Sequence, residues 1–317
     1  MRGRPRTAIS IGTLLTAAVL VAACSSPTST PPPTFAPEGT LAAPPLPSPE
    51  PAEVLVGAGD IAWCDGHDDE DTAALLDRIQ GTVATFGDNV YPTGSFEQFR
   101  TCYGPTWGRH LRRTRPAPGN HEYDTPDAEG YFRYFGSRAG EPGRGWYSYD
   151  LGPFWHVIAL NSNCEAVGGC GSGSPQERWL REDLAAHADR HVVAYWHHPR
   201  FSSGRHGSSN ATAALWRTLY EHGAELVLTG HDHSYERFAP LDATGAIDRV
   251  RGVRQFVVGT GGRSHYRFPG PPLPATEVRN DDTFGVLMLR LYATGYEWEF
   301  MPAAGGTFSD RGWGPVH

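Results

Sequence analysis

Four short motifs, three of them at the end of an apolar run, constrain the fold of this chain more than any other feature. They are Gly59-Asp60, Gly87-Asp88-Asn89-Val90-Tyr91, Gly119-Asn120-His121-Glu122 and Gly230-His231-Asp232-His233. Apolar, β-branched runs that end in glycine and polar residues are typical of strands in an α/β sheet. Such sheets place their functional loops at the carboxyl ends of the strands, so we expect the motifs to meet at one edge.

The rest of the pattern also indicates the α/β class. Strands are predicted at 54–58, 82–86, 156–160, 191–196, 224–228 and 255–258, and a hairpin is predicted to join 285–291 to 296–300. Helices are predicted over 68–80, from the N-cap Ser174 with Pro175 at the first helical position, and from Asn210 to Gly223. Strands that alternate with helices predict one α/β domain over residues 53–317.

The motif residues offer carboxylate, amide, phenol and imidazole donors in numbers that suit two adjacent metal ions. The candidate ligands, one of them from Tyr195-Trp196-His197-His198-Pro199, are Asp60, Asp88, Tyr91, Asn120, His197, His231 and His233. Two ions held in this way lower the pKa of a bound water and supply hydroxide for cleavage of a phosphate ester. The alternative is that these motifs are structural turns whose histidines are merely hydrogen-bonded. The number of ligand-type residues at strand ends argues against this alternative.

The order and spacing of these motifs from Val54 to about Arg237 resemble the calcineurin-like metallophosphoesterase superfamily, and within it the purple-acid-phosphatase-like branch. The resemblance implies a four-layer sandwich of two central mixed sheets flanked by helices. It also implies two metal ions that share Asp88. The first ion is assigned Asp60, Asp88, Tyr91 and His233, and the second Asp88, Asn120, His197 and His231. Much of that family has an additional N-terminal β-domain, whereas here we expect the N-terminal tether to run straight into the catalytic domain.

Two ligand choices depend on details of the motifs. Ala62 stands where the wider superfamily has a histidine ligand, so Tyr91 becomes the replacement. A tyrosinate favours Fe(III) at the first site beside a divalent Fe, Zn or Mn ion, whereas a packed Tyr91 would leave both ions divalent. Alignment on Pro199 makes His197 the ligand and His198 a substrate-facing residue, and the swapped roles are the alternative.

Outer residues are assigned to substrate on the same resemblance. His121 is expected to contact phosphate, with Glu122 orienting it, and His206 to act as general acid or phosphate contact unless it is a solvated loop residue. Arg200 and Arg205 are candidate clamps for phosphate oxygens, or else flexible surface arginines. The remaining histidines are expected to be structural.

The predicted function is hydrolysis of small phosphate monoesters. The first alternative is a phosphodiesterase or nucleotidase on the same metal core, because loops that the motifs do not define decide the ester. A non-catalytic phosphate- or solute-binding lipoprotein is a further alternative, although the ligand set is complete. The oligomeric state stays open.

Charge and composition exclude several other classes. The formal net charge of −8 argues against a broad nucleic-acid-binding surface. The sequence contains no lysine, which excludes a lysine Schiff base and a P-loop.

The N-terminus resembles an export signal of the lipoprotein type. A basic start and an apolar run end at Val21-Ala22-Ala23-Cys24, which resembles the bacterial lipobox. We therefore expect a signal peptide over 1–23, lipidation of Cys24 and a proline-rich tether over 24–52. The mature protein would be anchored at the outer face of the membrane, or simply secreted if the cysteine is there by chance.

The other cysteines agree with an oxidising compartment. Cys64, Cys102, Cys164 and Cys170 allow three pairings, and the short glycine-containing loop between the last two favours Cys164–Cys170 with Cys64–Cys102. A zinc site is the weaker alternative because no Cys-x-x-Cys spacing occurs.

Overall fold

The computed structural model describes residues 53–317. The expected signal peptide over 1–23, Cys24 and the tether over 24–52 lie outside the described residues. Within 53–317, no helix combines the length and the apolar character needed to cross a membrane.

The described chain alternates strands with helices. The strands are β1 (Glu53–Ala58), β2 (Ala62–Trp63), β3 (Thr82–Phe86), β4 (Val90–Tyr91), β5 (Thr114–Ala117), β6 (Tyr147–Leu151), β7 (Trp155–Ala159), β8 (His191–Tyr195), β9 (Leu226–Thr229), β10 (Tyr235–Phe238), β11 (Arg254–Val258), β12 (Thr276–Asn280), β13 (Gly285–Tyr292), β14 (Gly295–Pro302) and β15 (Arg311–Pro315). The α-helices are α1 (Asp68–Leu76), α2 (Phe96–Gln98), α3 (Glu129–Phe135), α4 (Pro175–Ala186) and α5 (Ala213–Glu221). Short 3₁₀ and π segments occupy Phe99–Tyr103, Trp107–Arg113, His121–Asp124, Pro126–Ala128 and Gly136–Ala139.

Two mixed sheets form the centre of the fold. Sheet 1 has the strand order β15-β14-β13-β1-β3-β5, and sheet 2 has the order β12-β10-β11-β9-β8-β7-β6. In sheet 1, β1, β3 and β5 are parallel neighbours. In sheet 2, β7, β8, β9 and β11 are parallel neighbours. The carboxyl ends of these parallel strands carry the loops with the sequence motifs.

Alternate side chains along the strands of sheet 2 pack into two different cores, one on each face of the sheet. Val193 and Tyr195 of β8 pack into a core shared with sheet 1, while Val192 and Ala194 pack into a second core with α4 and α5. Successive side chains of a strand point to opposite faces, so sheet 2 has sheet 1 on one side and helices on the other. The shared core also includes residues of α1 and α3. The predicted sandwich of two mixed sheets flanked by helices is confirmed.

Two of the three predicted helices differ from expectation at one end. The first ends at Leu76 rather than residue 80, because the Arg78 amide donates to the Leu75 carbonyl and tightens the chain into a turn. The third begins at Ala213, since the Ala213 amide donates to the Asn210 carbonyl in a turn that precedes the helix. The helix after Ser174 begins as predicted, with the Ser174 hydroxyl accepting from the Glu177 amide at 3.3 Å.

The structure contains the disulfides that the sequence favoured. Cys64 is bonded to Cys102, and Cys164 to Cys170. The first joins the loop after β2 to the segment after α2, beside the second motif. The pairing argues against a cysteine-ligated zinc site.

A buried histidine lies between two carboxylates at the β6 side of sheet 2. His156 Nδ1 is 2.8 Å from Asp150 Oδ1, and His156 Nε2 is 2.9 Å from Asp183 Oδ2. Burial alone would lower the pKa of His156, but the two carboxylates outweigh it and raise that pKa above its ordinary value. The histidine therefore links β6 and β7 to α4 through its contacts with the two carboxylates.

Candidate metal centre

The motif loops of both sheets meet at one edge. Sheet 1 places Asp60, Asp88 and Asn120 after β1, β3 and β5, and sheet 2 places its histidines after β8 and β9. Backbone hydrogen bonds join the two sets, since the Gly59 amide donates to the Val258 carbonyl and the Gly261 amide to the Gly59 carbonyl, each at 2.9 Å. The expected meeting of the motifs at one edge is thus what the fold produces.

Several candidate ligands have an unusual backbone conformation. Asp60, Asp88 and His231 adopt φ values of 59°, 50° and 72°, in the left-handed region that residues other than glycine rarely occupy. Such conformations cost free energy and persist where the surrounding structure enforces them, often at functional sites. Position 119 requires glycine because Asp88 lies close to it, and a Cβ on Gly119 would be 2.1 Å from Asp88 Oδ1.

The first cluster of donors surrounds the hydroxyl of Tyr91. Tyr91 Oη is 2.8 Å from Asp60 Oδ1, 2.9 Å from Asp88 Oδ2 and 3.2 Å from His233 Nε2. These are the residues assigned to the first ion, and they lie within one small buried volume. Ala62, where the wider superfamily has a histidine, is buried on β2 opposite Val90, the residue before Tyr91 on β4.

The second cluster surrounds His197 Nε2. This nitrogen is 3.3 Å from Asp88 Oδ2, 3.2 Å from Asn120 Oδ1 and 3.2 Å from His231 Nδ1. Asp88 Oδ2 therefore belongs to both clusters.

The atoms in both clusters fit metal ions by their chemistry and by their support. Separations near 3 Å are those expected between ligands around one ion at metal–ligand bonds of about 2.0–2.2 Å. The outer oxygens are fixed by backbone amides, with Asp60 Oδ2 accepting from the His231 amide at 2.7 Å and Asp88 Oδ1 from the His121 amide at 2.9 Å. His197 Nδ1 lies 2.8 Å from the Phe86 carbonyl, which only accepts, so the Nε2 lone pair is free to face the cluster.

Electrostatics also favours cations here. Burial and the carboxylates of Asp60 and Asp88 raise the pKa of Tyr91 well above its ordinary value. Ionisation of this tyrosine therefore requires a compensating cation close to its oxygen.

The two neighbouring histidines differ in their surroundings. His197 is fully buried and directs Nε2 into the second cluster. His198 places Nδ1 2.8 Å from the Ser162 hydroxyl, and its ring lies 4.4 Å from that of His231. His198 nevertheless offers a ring nitrogen to a group with His197 and His231 that could hold a metal ion. The choice of His197 as the ligand and His198 as a substrate-facing residue stays a prediction.

Glu122 has a different contact from the one predicted. It does not bind His121. Its Oε2 accepts from the amides of Asp88 at 3.0 Å and Gly119 at 2.6 Å, and its Oε1 accepts from the Asn89 amide at 2.8 Å. The prediction that Glu122 orients His121 is wrong, because the buried carboxylate satisfies the backbone of the loops that hold Asp88 and Asn120.

His121 is oriented by other groups. Its Nδ1 lies 2.6 Å from the Pro92 carbonyl and 3.2 Å from Asp124 Oδ2. Its Nε2 lies 3.9 Å from Asp88 Oδ2, and its ring centroid is 4.4 Å from that of Tyr91. The imidazole is thus at the rim of the first cluster, partly exposed, where a phosphate contact was expected.

The loop with His206 also reaches the rim. The His206 ring lies 4.4 Å from that of His231, and the His206 amide donates to Asp232 Oδ1 at 2.7 Å. Arg205 lies over the ring of Tyr266 at 5.2 Å, while Arg200 lies over Phe201 at 4.5 Å and lines an apolar cavity. His206 and Arg205 therefore border the centre, and Arg200 contributes to a neighbouring surface.

Sequence reasoning did not identify several residues around the centre. Asp232 accepts from the Ser202 hydroxyl and the His206 amide, which fixes the His206 loop to the fourth motif. Tyr266 stacks on His233 with ring centroids 4.1 Å apart, and Arg263 lies over Tyr91 at 5.0 Å. A signal was available in the Gly259-Thr260-Gly261-Gly262 turn, because it follows parallel strand β11 at the same edge.

These observations define a class of protein. A family model for calcineurin-like phosphoesterases matches residues 50–235, and the chain belongs to this family of metal-dependent phosphoesterases. The predicted resemblance to the purple-acid-phosphatase-like branch is confirmed by relatives and by fold.

The chain is 26% identical over 211 residues to human acid phosphatase type 7, which covers 60% of this chain and 41% of that protein. It is 24% identical over 319 residues to a barley nucleotide pyrophosphatase/phosphodiesterase, with 86% of this chain and 85% of that protein covered. The fold matches purple acid phosphatase PPD1 from yellow lupin with a TM-score of 0.65 at 16% identity, over 82% of this chain and 53% of that chain. This chain spans 41% of the length of several curated relatives, the human protein among them.

Proposed function

We propose that this protein hydrolyses phosphate monoesters at a centre of two metal ions. The observation that supports the proposal is the pair of donor clusters that share Asp88 Oδ2. Asp60, Asp88, Tyr91 and His233 would hold one ion, and Asp88, Asn120, His197 and His231 the other. Ions bound there supply Lewis-acid charge for the phosphate oxygens and activate water as the nucleophile.

The surrounding residues would bind and orient the ester. His121, fixed by the Pro92 carbonyl, presents its imidazole to phosphate oxygens at the rim of the first cluster. His206 packs against His231 and is placed to donate a proton or hydrogen bond to the departing alkoxide oxygen. His198, held by Ser162, borders the second cluster as a further donor to substrate.

The metal pair belongs to the same proposal. A phenolate ligand favours a trivalent ion, so Tyr91 supports Fe(III) at the first site, with divalent Fe, Zn or Mn at the second. We also propose that residues 1–23 direct export, that Cys24 is lipidated and that 24–52 form a tether to the folded residues 53–317. The disulfides agree with an oxidising compartment.

Elemental analysis combined with a visible spectrum tests the metal centre. We expect two metal ions per chain and an absorption band from tyrosinate to iron. One ion or none after purification without chelators would overturn the two-metal assignment. A two-ion preparation without the band would leave two divalent ions and remove Tyr91 as a tyrosinate ligand.

A phosphodiesterase is the second candidate function. The relative that supports it is the barley nucleotide pyrophosphatase/phosphodiesterase, which is covered over 85% of its length. Side-by-side assays of phenyl phosphate and bis(phenyl) phosphate separate the two candidates. A diester rate far above the monoester rate would replace our first choice with the second.

A further inference from the structure

Two arginines lie against aromatic rings that line the metal centre. The Arg263 guanidinium lies 3.7 Å from the ring centroid of Trp63 and 5.0 Å from that of Tyr91. The Arg205 guanidinium lies 5.2 Å from the centroid of Tyr266, the ring that stacks on His233. Arg263 therefore contacts the candidate ligand Tyr91 directly. Arg205 is separated from the candidate ligand His233 by one ring, that of Tyr266.

Neither guanidinium has a protein partner in the part of the chain that the structure describes. Between residues 53 and 317, no carboxylate lies within ion-pair distance of Arg205 or Arg263, and neither side chain donates a hydrogen bond. Arg263 Nε is moreover buried without an acceptor. Buried polar groups in folded proteins are nearly always paired, so an unpaired guanidinium nitrogen beside a metal centre indicates a ligand.

Contact with an aromatic ring leaves the N–H groups of each guanidinium available to a ligand. Cation–π attraction holds the charge near the ring but uses none of the N–H donors, which are arranged as a planar fork. That fork matches the two oxygens of a phosphate or carboxylate. Because the chain as a whole has a net charge of −8, these cations are local features rather than part of a basic surface.

We propose that Arg263 and Arg205 form a second anion site, so that the substrate is a phosphate ester bearing a further phosphate or carboxylate group. This inference rests on the proposed function, since the scissile phosphate would occupy the metal centre. The arginines lie outside the ligand clusters, in contact with Tyr91 and Tyr266, and would reach the part of the substrate beyond that phosphate. Binding energy at such a remote group favours one class of ester over another.

Ligand binding without turnover tests the proposal. The metal-loaded full chain is titrated calorimetrically with methylphosphonate, which has one anionic group, and with methylenediphosphonate, which has two. In Arg263→Gln we expect the affinity for methylenediphosphonate to fall at least tenfold, while that for methylphosphonate changes less than twofold. Phosphonoacetate, in which a carboxylate replaces the second phosphonate, shows by its own loss of affinity which second anion the site prefers.

Matched variants make the result interpretable. Arg311→Gln removes an exposed arginine from β15, the outermost strand of sheet 1, and should change neither affinity. Arg205→Gln repeats the test on a side chain that is exposed, so it remains usable if Arg263→Gln does not fold. Metal content is measured for each variant and should equal that of the unmodified protein.

Two outcomes would overturn the second anion site. An equal loss of affinity for both ligands would show that the arginines bind the scissile phosphate. An unchanged affinity for both would show that the arginines bind neither anionic group. A protein that fails to hydrolyse any ester would refute the proposed function, yet it would leave the difference between the two ligands measurable. The failures of the two proposals are therefore distinguishable.

Discussion

Replacing Glu122 with glutamine tests whether this buried carboxylate organises the metal-centre loops. Both of its oxygens accept from backbone amides, Oε2 from Asp88 and Gly119, and Oε1 from Asn89. Glutamine has nearly the same shape, but one oxygen becomes an NH₂ group. Whichever way the amide is turned, a donor then faces at least one backbone N–H.

The expected loss of stability follows from these contacts. Burial and the nearby charge of Asp88 raise the pKa of Glu122 to about 7, so the carboxylate is ionised above that pH and the comparison is made at pH 8.5. Hydrogen bonds to a charged acceptor contribute about 1.5–3 kcal/mol each, and at that pH the substitution removes the charge from all of them and at least one acceptor outright. A loss equivalent to two such bonds gives about 3–6 kcal/mol. For a domain of this size about 2–4 °C of Tm corresponds to each kcal/mol, so Glu122→Gln should lower Tm by at least about 6 °C.

The measurement is thermal unfolding of chelator-treated protein, so that metal binding does not contribute. Glu129→Gln is the matched control, because Glu129 is an exposed carboxylate of α3 paired with Arg133, and exposed pairs contribute about 0–1 kcal/mol. A Tm within about 2 °C of the unmodified protein for Glu122→Gln would refute the assigned role. Lost hydrolysis without lost stability would return Glu122 to a catalytic role.

Three further predictions concern the centre and the buried histidine. Asp88→Ala should abolish hydrolysis and release both ions, because its carboxylate belongs to both clusters, and elemental analysis that still finds one ion would contradict the bridge. His206→Ala should lower kcat and keep both ions, whereas metal loss would show that this histidine is a ligand. His156 has a folded-state pKa above its unfolded value of about 6.5, so its ion pairs stabilise fully below that pH, and this contribution is lost as pH rises through the folded pKa. Thermal unfolding of His156→Gln should therefore show a larger loss of Tm near pH 6 than near pH 9, and an equal loss at both would refute the charged state.

The sequence predicted the parts of the fold that depend on local patterns. The apolar, β-branched runs at β1, β3, β8, β9 and β11 alternate with turns strongly enough to be recognised. Strand β5 was missed because Thr114–Ala117 contains Arg115 and Pro116 and has no apolar run. Its pairing with β3 depends on tertiary contacts that no local pattern encodes.

The donor set could be predicted because each ligand follows a strand end in a recognisable order. The contacts of Glu122 could not, because its partners are backbone amides, which every residue offers. Arg263 was missed for a similar reason, since what singles it out is its contact with two aromatic rings and the absence of an acceptor for it among residues 53–317. Neither the backbone partners of Glu122 nor the surroundings of Arg263 can be recognised from the spacing of residues in the sequence.

The division of the candidate ligands between two sheets has a mechanical meaning. Asp60, Asp88 and Asn120 are attached to sheet 1, whereas His197, His231 and His233 are attached to sheet 2. Each ion would bind ligands from both sheets, so side chains in the shared core, far from any ligand, would set how closely the two sets of ligands approach. Enlarging or trimming a residue such as Val193 in that core should then shift the colour of an iron-containing centre without touching any ligand.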